Sequence, residues 1–68
     1  MIRRYKITLV GSEEPNGSRI ITTPPLSPGF GDILFSVSPK DLKDYVPNAG
    51  DTLVRDVDSG AIRFERQE

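Results

Sequence analysis

The sequence predicts a mainly β protein: a single small five-stranded antiparallel barrel, or a strongly bent sheet, in the order β-β-β-α-β-β with one short helix at about 39–45. Three observations predict it. Apolar and polar residues alternate over 2–10 and 31–38, and β-branched residues enrich 19–23. Clusters rich in Gly, Asn, Asp, Ser and Pro separate these stretches. One stretch alone, after Ser38, has apolar residues at helical spacing. With 68 residues, there is room for one domain, 1–68, with a core close to the smallest that folds unaided.

In the first stretch, Tyr5, Ile7 and Leu9 share a face, and Arg4, Lys6 and Thr8 share the opposite one. This is an amphipathic strand with a wet basic side. Gly11 to Ser18 is a turn, with Asn16-Gly17 accepting positive φ, and Arg19 to Thr23 returns as its hairpin partner. Thr23 to Phe30 carries Pro24, Pro25 and Pro28, so it is read as an extended, polyproline-like loop. The next strand, Gly31 to Ser38, is apolar on both faces (Ile33, Phe35 and Val37 on one, Leu34 on the other), which suits a strand in the middle of the sheet.

Ser38-Pro39-Lys40-Asp41 is a helix start: serine caps, proline suits the first helical position, and Asp41 meets free amides. Leu42, Tyr45 and Val46 then form one face, and Pro47 ends the helix. Asn48 to Asp51 turns into Thr52 to Val57, and Asp58-Ser59-Gly60 is a hairpin tip leading to Ala61 to Arg66. Two registers compete at that tip. A two-residue loop would pair Asp56 with Arg63. A three-residue loop with left-handed Gly60 pairs Val57 with Ala61 and puts Val54, Ile62 and Phe64 on one face, and it is the one expected. The element order resembles that of oligonucleotide-binding-type and other small five-stranded barrels, a resemblance of order with no motif behind it.

Composition narrows function by exclusion. There is no Cys and no His, which removes disulfides, thiolate chemistry, the commonest general base and the commonest transition-metal ligand. The serines sit mostly at turns and caps, and no nucleophile elbow is present, so no enzymatic activity is expected. Asp56-Val57-Asp58-Ser59-Gly60 starts like a calcium loop but puts Ala61 at the obligatory glycine and Gln67 at the bidentate glutamate. Gly29-Phe30-Gly31 lacks the lysine of a phosphate loop. No cofactor and no metal are expected. No apolar run approaches a membrane span and no signal peptide is visible, which suggests a cytoplasmic protein.

Two surface features remain. Pro25-Leu26-Ser27-Pro28 matches the P-x-x-P pattern without a basic flank, and the stiff loop Pro24, Pro25, Leu26, Pro28 and Phe30 would lose little entropy on docking. Alternatively, that loop folds over one end of the barrel and only covers the core. Arg4 and Lys6 on the first strand would join Arg55 and Arg63 of the last hairpin in a basic patch if those strands are neighbours. The formal charge is −1 and few aromatics are free to stack on bases, so nucleic acid is the second choice of partner. The first is a larger protein, met by the Pro24 to Phe30 loop and the exposed arginines, with this chain acting as an inhibitor or adaptor of the kind that phages and mobile elements direct at host proteins. The third is a second copy of the chain, since small sheets leave open edges.

Overall fold

A computed structural model describes all 68 residues. Six strands and one helical turn follow in order: β1 (Ile2–Lys6), β2 (Leu9–Val10), β3 (Arg19–Thr23), β4 (Ile33–Val37), α1 (Pro39–Leu42), β5 (Thr52–Asp56) and β6 (Ile62–Glu65). They form two three-stranded antiparallel sheets, ordered β1-β5-β6 and β2-β3-β4. β4 and β6 do not pair, so the barrel stays open. No helix is long and apolar enough to cross a membrane.

The expected first strand is two strands. Ile7 N–H donates to the Asp51 carbonyl at 2.8 Å, on the β5 side, whereas Thr8 N–H donates to the Thr22 carbonyl of β3 at 2.9 Å. The chain therefore leaves one sheet and enters the other between these residues. The alternation slips by one there: Tyr5 and Ile7 face inward, but Val10 rather than Leu9 packs on the core, and Leu9 is exposed. A strand that serves two sheets must re-aim its side chains at the corner.

One core lies between the sheets. Ile7, Ile21, Phe35, Val37, Leu42 and Leu53 are buried, with Tyr5, Val10, Ile33, Ile62 and Phe64 packed around them. The Tyr5 and Phe35 rings meet at 5.1 Å with a 56° tilt, a geometry that suits aromatic quadrupoles. Each fully buried side chain of this size removes about 1.5–3 kcal/mol of apolar exposure, so this cluster, and not local propensity, carries the fold.

Four further expectations change. Helix α1 is one turn long and stops at Leu42, so Tyr45 is half-buried and Val46 exposed beyond its end. Ser38 does not cap the backbone: its hydroxyl lies 3.2 Å from Asp41 Oδ2, while its carbonyl accepts Asp41 N–H at 3.0 Å. A turn this short cannot stand alone, and burial of Leu42 holds it. The final hairpin takes neither expected register. Arg55 pairs with Ile62 and Val54 with Arg63, and Asp56 closes the hairpin against Ala61, its N–H donating to the Ala61 carbonyl at 2.9 Å. The loop is therefore Val57 to Gly60, with Gly60 left-handed as its chemistry requires (φ 78°). Finally, β4 is at a sheet edge, not in the middle.

Candidate protein-binding surface

Strand register sorts the surface into two unlike faces. Residues directly opposite one another share a face. In β2-β3-β4, the pairs Ile21–Phe35 and Val10–Ile21 point into the core, so Leu9, Thr22 and Leu34 form a row on the outside, beside Ile20 and Ser36. None of these five outward positions is ionisable. Leu9 and Leu34 are 61 % and 65 % exposed.

The loop between β3 and β4 extends this apolar surface. It does not fold over the core: Pro24, Leu26, Pro28 and Phe30 are exposed and Pro25 is half-buried. Leu26 and Phe30 reach 65 % and 74 % exposure. Phe30 N–H reaches back to the Ser27 carbonyl at 3.3 Å, closing a turn in which Gly29 has φ 94°. Leu26, Ser27, Phe30, Gly31, Asp32 and Ile33 line an open concavity of about 450 Å³. Prolines at three of its nine positions limit the conformations open to the loop.

The outside of β1-β5-β6 is charged. Strands β1 and β5 are neighbours, and Arg4, Val54 and Arg63 lie in one cross-strand row, with Lys6 further along β1. Glu65 sits between the two arginines, accepting from Arg4 Nε at 3.3 Å and lying 3.2 Å from Arg63 Nη1. The Arg4 hydrogen bond in particular holds the Glu65 carboxyl below its ordinary range. Arg55 does not join the row. It pairs with Arg3 and Ile62, so it points to the inner side, where its guanidinium lies 5.8 Å from the centre of the Phe35 ring. The basic patch is thus smaller than four residues, and a carboxylate bridges two of its members.

The acids of the last turn serve local structure. Asp56 Oδ1 accepts Asp58 N–H at 3.0 Å and lies 3.9 Å from the N-terminal amine, which also pairs with Asp58. The Asp58 amide is the main reason the Asp56 carboxyl is depressed.

Sequence reasoning passed over Asp51, which is buried. Its Oδ2 accepts Tyr45 O–H at 2.5 Å and Asn48 N–H at 2.8 Å, and its Oδ1 accepts Gln67 N–H at 2.9 Å. The Tyr45 hydrogen bond lowers the Asp51 carboxyl and raises the Tyr45 phenol. Arg66 lies 4.8 Å over the Tyr45 ring and completes the cluster. The only hint in the sequence was an acid directly after Asn-Ala-Gly, which reads equally well as a turn residue. Comparison with known proteins finds no matching family model, curated protein or solved structure.

Proposed function

We propose that this chain is a small non-enzymatic protein-binding module, an inhibitor or adaptor that docks on a larger protein through the Pro24–Phe30 loop and the outer face of β2-β3-β4. One observation carries the reading. An uncharged outer sheet face continues into a proline-stiffened loop whose Leu26 and Phe30 are held open to solvent. Apolar residues are only 35 % of this short chain, so leaving its large ones outside forgoes core that a small domain needs. The partner that fits is a protein presenting an apolar, weakly charged groove that accepts Leu26 and Phe30 as anchors.

A second reading, nucleic-acid binding, has the shared outer face of Arg4, Lys6 and Arg63 in its favour. The Glu65 bridge weighs against it, because phosphate would compete with a carboxylate already in place.

Affinity capture from source-cell lysate, with and without nuclease, separates the two. Wild type should retain one stoichiometric protein in both lanes, and Leu26→Asp should lose it. The double change Arg4→Glu with Arg63→Glu should leave it bound. Retention that vanishes with nuclease, or that follows the arginines and not Leu26, overturns the protein-binding reading. Circular dichroism on each variant confirms that the fold is retained.

A further inference from the structure

We infer that Asn16 is a modification site, a spontaneous deamidation site that the native hairpin tip holds unreactive and that opening of the tip releases. Asn-Gly is the pair at which a backbone nitrogen attacks the preceding side chain most readily, because glycine has no Cβ to hinder the approach. The Gly17 nitrogen gives its proton to solvent and bonds to Asn16 Cγ, while the Cγ–Nδ2 bond breaks and ammonia leaves. Water then adds across either ring carbonyl–nitrogen bond. The product is aspartate or, with the main chain rerouted through Cγ, isoaspartate. No cofactor, oxidant or second protein takes part. Asn48 is the only other asparagine, and the bulkier Ala49 follows it.

Hydrogen bonds of the tip hold the two reacting groups apart. Glu14 N–H donates to the Ser18 carbonyl and Gly17 N–H to the Glu14 carbonyl, both at 2.8 Å, with Gly17 left-handed at φ 87°. An amide proton lies in its peptide plane, and the new bond to Cγ must form along the direction that proton leaves. Here that direction points at the Glu14 oxygen. The carboxamide is tied as well: Asn16 Oδ1 accepts Ser18 N–H at 3.0 Å and the Ser18 hydroxyl at 2.6 Å. A backbone N–H can only donate, so it is the oxygen end of the carboxamide that is fixed there. Ser18 is itself buried and cannot swing away freely. Nitrogen and carboxamide each have another partner, and ring closure waits for the tip to open.

The two products load the tip differently. Aspartate keeps both Ser18 donors satisfied and adds a negative charge beside exposed Glu13 and Glu14. Isoaspartate lengthens the main chain by one carbon inside a loop that Glu14 and Ser18 close by a direct hydrogen bond. The tip has little room to bulge toward α1, since a Cβ on Gly17 would stand only 3.0 Å from Pro39 Cγ. The aspartate form should therefore fold as the native chain does, and the isoaspartate form should be looser. A chain whose tip has opened for long enough keeps a permanent charge as the record of it.

The test is incubation of the full chain in mildly alkaline buffer, native and unfolded in guanidinium chloride, with peptide mapping that separates aspartate from isoaspartate at residue 16. In the unfolded chain, conversion should centre on Asn16 and leave Asn48 largely intact. The native chain should convert at least about tenfold more slowly, since each net hydrogen bond shifts an opening equilibrium by about fivefold and more than one must open. Ser18→Ala removes the hydroxyl bond and keeps the N–H. It should speed native conversion about fivefold and leave the unfolded rate unchanged. Ser18→Thr restores a hydroxyl and should return the native rate toward wild type. Hydrogen exchange at the Gly17 amide should rise in Ser18→Ala by the same factor, because both reactions pass through one opening. Native conversion as fast as in the unfolded chain overturns the inference. So does an Asn16 that converts in neither state, or exchange and deamidation that respond separately to Ser18→Ala. Asn16→Asp reproduces the first product and should keep the native circular dichroism and denaturation midpoint; a clear loss of stability there overturns the account of the two products.

Discussion

At Asp51 a single carboxylate ties together three segments that share no regular structure: the end of the α1 connection through Tyr45, the turn through Asn48, and the C-terminal tail through Gln67. Its pH dependence follows from the shifts. The Asp51 carboxyl is lowered by folding, so its contribution is complete above the unfolded value near 4 and is lost as pH falls through the folded value. The Tyr45 phenol is raised, so its contribution is complete below about 10 and is lost as pH rises through the folded value. Asp51→Asn should therefore lower stability at neutral pH and flatten the acid loss, seen as denaturation midpoints that vary less below about pH 4. Asp56 and Glu65 are also depressed, so the slope shrinks without vanishing. Thr23 presents the opposite case. It is fully buried on the core side of β3, and its hydroxyl has no hydrogen-bond partner. Thr23→Val keeps the shape and removes the orphaned group, so the midpoint should rise by the equivalent of about 1 kcal/mol.

At the scale of elements, the strands and turns were legible because period-two alternation and turn chemistry are local. What alternation cannot show is which neighbour a strand takes. Tyr5, Ile7 and Leu9 alternate without a flaw, yet Leu9 is exposed because Thr8 turns to β3 and Ile7 stays with the β5 side. That switch is decided by hydrogen bonds to residues 51 and 22, far along the chain. Helix α1 failed for a related reason: caps and spacing suggested two turns, but of the expected apolar face only Leu42 is buried, and Val46 is left exposed. In the last hairpin the need for a left-handed glycine was visible, and the loop length was not. Gly60 has open space where a Cβ would stand, so replacement there costs conformation alone. Gly60→Ala should lower stability by about 1 kcal/mol and Gly60→Asn by less, since asparagine tolerates the left-handed region. Equal losses for the two in urea titrations would mean that the turn is not set by this φ.

For the whole molecule, the candidate surface was partly legible. The loop and the arginines stood out by residue type, but their exposure, and the Glu65 bridge between Arg4 and Arg63, depend on how two sheets share one core. Leu53 and Val54 are adjacent on β5 and nearly equally buried, at 0 % and 2 % exposure, yet they answer to different sides. Leu53 pairs with Tyr5 and Phe64 and belongs to the core between the sheets. Val54 pairs with Arg4 and Arg63 on the charged outer face and lies outside that core cluster. A domain of this length holds roughly 3–10 kcal/mol in total. Leu53→Ala leaves a cavity walled by close-packed groups from both sheets and should cost about 2–5 kcal/mol, enough to unfold much of the protein. Around Val54 the cover is set in register by long, flexible arginine side chains that can settle into the space a smaller residue leaves. Val54→Ala should therefore cost clearly less per methyl group removed, and chemical denaturation of the two variants measures the difference. Equal cost per group would mean that the arginine row is packed as rigidly as the interior, and that this face, too, is part of the core.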